Sequence, residues 1–530
     1  MKKFHIKVFI IVLICAIFFG LAALPLFNSA YIPTHDGEYH IIRIVEFAKM
    51  IREGYFFPRW APSLNSGYGI PIFEFHYPLP NYIGSFVRLF THDAVYAYQM
   101  SMGFGYIIAA LGSFLWLTSL YGPFAAALGT VVGAYVPYWF VDIYVRGSIG
   151  EVWAIALLFY TLWAIEKKRH IGVALLYGLL ILSHNILGMV FTPFLFIYMM
   201  IRNKKAIQSL IWGLGLSAYF WFPALLEQKY VVGLNTVNFR EHFVALYELL
   251  IPSWGTEFSG SGFSGSKISF QLGIIPIVVI IASLLTFLRQ KKKQSDIVVK
   301  WFLMLVGLLV VFMLPLSKGI WETVRPLQFV QYPWRLLSFV IPITAILTAY
   351  LAKKSKKPYL IIVLAIMAVI GTFPYTRKVH YAPRNEAYYM SRSNFTDGTS
   401  SMGNSFSTIW TGWKEKRQES ELIIQNGKMT KKRTWQYLKK EFNVRMDAEG
   451  TVTLNTLYFP GWVIVVDGKK VPILFQSDGI IRALVPAGVH AITIQFTNTA
   501  PRTIGNIISI ASLVGIIGWG ILAIYAHRYK

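Results

Sequence analysis

Apolar runs recur along this chain at 8–27, 94–117, 124–140, 152–165, 171–182, 186–201, 207–226, 272–288, 300–316, 336–351, 359–373 and 504–525, with short polar stretches between most of them. Several fall short of twenty residues, but together they predict about twelve membrane-crossing helices. Between 441 and 497 the period changes. Thr451-Val452-Thr453-Leu454 and Trp462-Val463-Ile464-Val465-Val466 alternate as strands do, and Asp467-Gly468 is a hairpin signal. The pattern predicts a polytopic α-helical membrane protein carrying a small β-sandwich-like domain before its last helix. It divides into a transmembrane domain over 1–373 with long outer loops at 28–93 and 228–271, a linker over 374–440, the β domain over 441–503, and a last helix with its tail over 504–530. The stretch 385–435, rich in Ser, Asn, Gly and Lys, reads as loop or as a segment ordered by a partner.

Composition agrees, since 55% of the 530 residues are hydrophobic and only 14% charged. The formal charge of +25 would suit nucleic acid. Its distribution argues otherwise: Lys167-Lys168-Arg169, Arg202-Asn203-Lys204-Lys205, Arg289 to Lys293, Lys353 to Lys357 and His527 to Lys530 fall between or after apolar runs, on one predicted side. That is the positive-inside pattern. It places both termini in the cytoplasm and the long loops and β domain outside, with the bilayer and not nucleic acid as partner. The first run reads as an anchor rather than a signal peptide, because no small-x-small cleavage site follows it. Cys15 is the single cysteine, so an intramolecular disulfide and a Cys-based zinc site are excluded.

The candidate chemistry gathers on the outer side. Thr34-His35-Asp36-Gly37-Glu38-Tyr39-His40-Ile41-Ile42-Arg43 leaves the first apolar run, and a helix beginning near Gly37 sets Asp36, His40 and Arg43 on one face with Glu38 pointing elsewhere. Asp36 is the leading candidate for a general base, with helix N-capping as its structural alternative. Glu38 and His40 complete the candidate catalytic group. Arg43 and Arg59, then Arg146, His184 and Arg335 at the outer ends of later runs, are candidate phosphate ligands, because guanidinium donors suit a phosphate at the membrane boundary. Glu151, Asn65, Tyr68, Arg325 and Gln331 are further site candidates. Each has a plainer reading, such as an ion pair for Arg146 and Glu151, an interhelical hydrogen bond for His184, and snorkelling for Arg335. His35, Asp36 and His40 lack convincing metal-ligand spacing.

The set formed by Thr34 to Arg43, Pro58-Arg59-Trp60, Asn65-x-Gly67-Tyr68-Gly69-x-Pro71, Arg146-Gly147-x-x-Gly150-Glu151, His184-Asn185 and Tyr332-Pro333-Trp334-Arg335 resembles the bacterial membrane family labelled 6-pyruvoyl-tetrahydropterin synthase-related. Tyr458-Phe459-Pro460-Gly461-Trp462 and Val485-Pro486-Ala487-Gly488-Val489-His490 resemble the ending of YfhO-type membrane proteins. The resemblance implies a GT-C glycosyltransferase architecture, an essential acidic residue in the first outer loop (here Asp36), and a sugar donor on polyprenyl phosphate in the outer leaflet. The expected reaction is an inverting transfer to a cell-envelope glycopolymer such as a teichoic acid, to a glycolipid or to a protein, and the surplus of Lys and Arg in the β domain makes an anionic envelope polymer or glycolipid the leading acceptor class. No tandem Asp-x-Asp occurs; Asp36-Gly37-Glu38 is the nearest variant, which leaves a divalent ion, Mg or Mn, as an open cofactor and none required. Two other classes fit the same residues: a flippase for lipid-linked glycans and a non-catalytic envelope assembly protein.

Overall fold

In lipid every backbone polar group must be satisfied within its own helix, so each break in a crossing helix has a local cause. The computed structural model of the chain describes residues 17–233, 237–260, 266–290, 296–377, 379–391, 405–410, 414 and 419–528. Cys15, the start of the first apolar run, residues 291–293 of one basic cluster, parts of the 385–435 stretch and the final two residues lie outside them. Helices α1 (Gly37–Arg52) and α2 (Leu79–Thr91) belong to the first long loop. The bundle comprises α3 (Ala94–Tyr121), α4 (Pro123–Ala134), α5 (Ile149–Glu166), α6 (His170–Ser183), α7 (Asn185–Arg202), α8 (Gln208–Leu216), α9 (Ala218–Glu227), α10 (Ile274–Leu288), α11 (Ile297–Met313), α12 (Val340–Lys354) and α13 (Pro358–Thr372), and α14 (Ala500–Arg528) follows the β domain.

Among the described residues, six helices are long and apolar enough to cross a membrane, or up to nine if each of three bent pairs is one span. Three runs expected to be continuous are those bent pairs. The first breaks by 46° ahead of Pro137, the second by 64° at Ser217, and the third by 81° ahead of Pro315. Proline lacks the N–H that would continue the ladder, which accounts for the first and third. Elsewhere small residues let helices close in: a Cβ on Gly129 or Gly133 of α4 would fall 2.4 Å from the Ala345 carbonyl or 2.7 Å from the Ala345 Cβ of α12.

The β domain begins earlier than its alternation suggests. Its strands are β1 (Leu422–Ile424), β2 (Gly427–Trp435), β3 (Lys439–Met446), β4 (Gly450–Leu457), β5 (Trp462–Val466), β6 (Lys469–Val471), β7 (Ile480–Val485) and β8 (Gly488–Phe496). They form an antiparallel sheet of order β1-β4-β7 and another of order β2-β3-β8-β5-β6. Strand β2 was expected to be loop because it is an exposed edge, lysine-rich and without an apolar face. The hairpin at Asp467-Gly468 is present, with Val466 paired to Lys469 and both turn residues at positive φ.

This domain is seated on the first loop. Trp462 meets Trp60 edge-on at 5.8 Å, and the backbone N–H of Leu457 and the Thr456 hydroxyl donate to the Tyr68 carbonyl at 3.1 and 2.8 Å. Below that seat lies a buried ion network. Arg502, fully buried, donates to Glu227 through Nε and Nη2 at 3.0 and 2.7 Å, and its Nε stands 3.4 Å from Glu74, which also pairs with Arg59 at 3.0 Å. Gly461, at φ +116°, makes room for this guanidinium, since a Cβ there would lie 2.6 Å from Nη1. Removing one partner of such a network strands buried charge. Arg502→Leu is therefore expected to cost about 3–5 kcal/mol, measured as a fall in melting temperature in detergent, while Arg502→Leu combined with Glu227→Gln is expected to recover part of it. Equal melting of the single and double variants would remove charge stranding as the cause.

Candidate functional site

After Pro137 the chain makes one short α-helix, Pro137–Val141, and then a π-helical turn, Asp142–Arg146, which ends at Gly147 in the left-handed region at φ +72°. Single π turns inside helices widen the backbone and often mark functional positions. Here the turn leaves carbonyls free to hold the first loop. The N–H groups of His35 and Asp36 donate to the carbonyls of Val145 and Arg146 at 2.9 and 2.8 Å. Only glycine fits next to that pair, because a Cβ on Gly147 would fall 2.2 Å from Thr34 Oγ1 and 2.6 Å from the Tyr98 hydroxyl. Gly150 has a different role: a Cβ there would strike the Tyr77 ring at 2.5 Å. The Arg146-Gly147-x-x-Gly150-Glu151 motif thus positions Asp36 by backbone bonds and Tyr77 by packing.

The side chains of the same turn form an ion cluster. Arg146 donates to Asp142 at 2.6 Å and to Glu151 at 2.8 Å, and Arg335 donates through Nε to Glu151 at 2.7 Å. Arg335 Nη1 donates to the Val330 carbonyl at 2.6 Å. Trp334 and Tyr332 cover the guanidinium groups of Arg146 and Arg335, each at 5.0 Å. Glu151 is fully buried and joins α5, the π turn and the turn at Pro333–Phe339. Arg146 Nε and Arg335 Nη2 make no hydrogen bond among the described residues and are the donors left for a ligand.

Arg146, Arg335, Tyr332 and Trp334 line a cavity of about 230 Å³, with Asp36, Arg43, His76 and His184 also on its walls. Asp36 occupies the N-cap position of α1, yet its side chain caps nothing and makes no hydrogen bond or ion pair among the described residues. Arg43 donates to His76 Nε2 at 2.7 Å. His184 Nδ1 accepts from the N–H of Leu187 at 3.1 Å and so caps α7, which leaves the Nε2 of the neutral ring as a donor, 3.9 Å from Glu151. Burial, with the charge of Arg43 second, holds His40 and His76 well below the usual histidine range. His35 is also lowered by burial, against the opposing hydrogen bond from its Nε2 to the Thr256 carbonyl at 2.7 Å. The imidazoles therefore serve as neutral donors and acceptors, and the formal charges around the cavity are carboxylates and guanidiniums.

Asp36, His40, Arg43, Arg146, His184, Gln331 and Arg335 meet at this cavity, and Glu151 supports it from behind. Five other expected site residues lie elsewhere. Glu38 turns away to pair with Arg384, so it does not converge with Asp36. Arg59 is engaged by Glu74 and, at 2.8 Å, by the Tyr219 carbonyl. Asn65 accepts from the backbone N–H of Lys414 at 3.0 Å, and Tyr68 is part of the β-domain seat. Arg325 is exposed in a short helical turn, Arg325–Gln328, away from the cavity. His76, Tyr77 and Asp142 were missed. Asp142 had a signal, since it stands four residues before Arg146 in an otherwise apolar stretch. Among the described residues no three His, Cys, Asp or Glu side chains are grouped as a metal site.

A second, larger cavity of about 930 Å³ adjoins the first, lined mainly by apolar residues of α6, α7 and α9. Phe75, Asn185, Ile186, Ser405 and Phe406 line both.

Fold and site thus define a helical membrane protein whose buried ion cluster faces a polar cavity beside an apolar one, with a C-terminal β domain docked over the first loop. The chain belongs to the membrane protein family described as 6-pyruvoyl-tetrahydropterin synthase related domain, whose model matches residues 73–379. It is 24% identical over 340 residues to an uncharacterized protein of Lactococcus lactis subsp. cremoris, covering 58% of this chain and about half (54%) of that relative. Among solved structures it is similar to the Archaeoglobus fulgidus oligosaccharyltransferase (12% identity, 72% of this chain and 57% of that one, TM-score 0.44). It is also similar to the mycobacterial arabinofuranosyltransferase AftD (12%, 70% and 26%, TM-score 0.45) and to ArnT of Cupriavidus metallidurans bound to undecaprenyl phosphate (13%, 69% and 63%, TM-score 0.43).

Glu151 and Asp36 are both carboxylates at this site, and their surroundings separate structure from function. Glu151→Gln weakens two buried arginine contacts and is expected to lower stability by about 3–5 kcal/mol. Asp36→Asn breaks no side-chain hydrogen bond or ion pair among the described residues and is expected to stay within about 0.5 kcal/mol of wild type. Thermal melts of both variants in the same detergent check the contrast, and a large loss in Asp36→Asn would make that residue a structural one.

Proposed function

We propose that the protein is an inverting GT-C-type glycosyltransferase that takes a sugar from a polyprenyl-phosphate donor at the outer leaflet and transfers it to a hydroxyl of a cell-envelope acceptor. The observation that carries this reading is the pair of adjoining cavities, one polar and holding an unengaged carboxylate, the other apolar and larger, with a common wall. A ligand suited to both has a polar head and a long hydrocarbon tail. The family resemblance implies an acidic first-loop position, which Asp36 matches.

In this mechanism the acceptor O–H gives its proton to Asp36 as the oxygen forms a bond to the anomeric carbon. The bond from that carbon to the phosphate oxygen breaks, and its electron pair leaves with polyprenyl phosphate. Negative charge grows on the departing phosphate, where Arg43, the free N–H groups of Arg146 and Arg335, and His184 Nε2 supply donors fixed in advance. Preorganised donors in a water-poor site contribute most where charge develops. Arg146 and Arg335 are themselves matched by Asp142 and Glu151, so they act as oriented hydrogen-bond donors more than as uncompensated charge. The β domain, with lysines on its edge strand, faces an anionic polymer or glycolipid acceptor, and a divalent ion remains an optional addition at the Asp36 side.

Asp36→Asn is expected to reduce transfer by about 10²–10⁴-fold while binding of polyprenyl phosphate is kept. The check has two parts: mass spectrometry of envelope glycans from a deletion strain complemented with wild type or variant, and lipid binding to the purified proteins. Full transfer by the variant would remove Asp36 as the base. Unchanged glycans on deletion, with a translocation defect for a lipid-linked glycan instead, would favour a flippase.

A further inference from the structure

The wall between the two cavities is built partly by a segment from the far end of the chain. Residues 405–410 lie antiparallel to residues 230–233: Val231 bridges Thr408, the N–H groups of Val232 and Gly233 donate to the carbonyls of Ser407 and Ser405 at 2.9 Å each, and Ile409 N–H donates to the Tyr230 carbonyl at 3.1 Å. This ladder sets Phe406, 5% exposed, with its ring nearly parallel to that of Phe75, at 16° and 6.3 Å between centroids. Phe406, Phe75 and Ile186 are the apolar residues common to the two cavities, and Asn185 and Ser405 the polar ones.

A ligand occupying both cavities passes these shared residues with the atoms that directly follow its phosphate. We propose that Phe406 is a specificity-determining residue that admits a single hydrocarbon chain at that point and rejects the paired ester-linked chains of a glycerophospholipid. The inference rests on the reading of the protein as one that binds lipid-linked phosphate. Two physical costs act against the glycerolipid. Its second chain adds volume where the phenyl rings already face one another, and packed interiors give way to added volume at a cost. Its ester groups lose water at a point where three of the five shared side chains are apolar. A prenyl chain has neither feature.

The test measures affinity of the full-length protein in micelles for undecaprenyl phosphate and for phosphatidic acid, by native mass spectrometry and by ligand-induced shift in melting temperature. Wild type is expected to favour undecaprenyl phosphate by at least about tenfold. Phe406→Ala is expected to erase most of that preference, and Phe406→Leu, which keeps apolar volume, to fall between. Met189→Ala, in the apolar cavity alone, is expected to weaken both lipids with the ratio unchanged. Should Phe406→Ala fail to fold, Phe406→Leu against wild type decides. An unaltered ratio in the Phe406 variants, or a wild type that binds phosphatidic acid equally well, overturns the role of Phe406 and leaves the proposed function standing. A wild type that binds no undecaprenyl phosphate overturns both.

Discussion

The bonds that Arg146 and Arg335 make to Glu151 fix the distances on which the site depends. Burying one carboxylate among apolar helices is costly, and two guanidiniums with good geometry are what make it tolerable. Glu151 opens α5, Arg146 ends the π turn just before it and Arg335 sits in the turn before α12, so one side chain holds two neighbouring segments to a third that is distant in sequence. The π turn, fixed in this way, presents the carbonyls of Val145 and Arg146 to the backbone of His35 and Asp36. The placement of Asp36 is therefore a consequence of the ion cluster, transmitted through main-chain bonds and not through its own side chain.

The second constraint acts from the opposite side. Glu74 sits in the short helix Ile72–Phe75 together with Phe75, which lines both cavities, and Glu74 is held by Arg59 and approached by Arg502. Arg502 belongs to the helix after the β domain and is covered by Phe459 and Phe496 at 5.2 and 4.7 Å. The C-terminal part of the chain thus reaches the cavity wall through Glu74 and again through residues 405–410. The β domain and last helix are parts of the site's frame, which explains why the first loop carries so many ring and arginine contacts that never touch the cavity.

Much of this was legible in the sequence, for reasons that also explain the gaps. Apolar runs located the helices because lipid demands them, but composition stays apolar across Ser217 and Pro315, so the bends there left little mark on hydropathy. The convergence of Asp36, Arg43, Arg146, His184 and Arg335 followed from ionisable groups sharing one predicted side of the membrane. Arg59, Asn65 and Tyr68 were assigned to the cavity because first-loop motif residues serve two neighbours, the cavity and the β domain, and spacing does not say which. Strand β2 was missed since an exposed edge has no apolar period, and His76 because a histidine in an aromatic loop reads as belt.

The charge count of the cluster bears on how such a site works. Around the cavity the acidic residues Asp36, Asp142 and Glu151 stand opposite Arg43, Arg146 and Arg335. On the proposed reaction a phosphodiester donor brings one negative charge into this site, a burden that the guanidinium N–H groups can carry. As Asp36 takes the acceptor proton its own charge disappears, and the site gains one positive unit. At the same moment the leaving phosphate gains its second charge, on a group whose last proton has a pKa near 6. Negative charge crosses the cavity from the carboxylate that has no partner to the arginines whose partners hold them still. A carboxylate already paired, as Glu151 is, could not supply that shift, because taking a proton would cost it the two arginine bonds on which the fold depends.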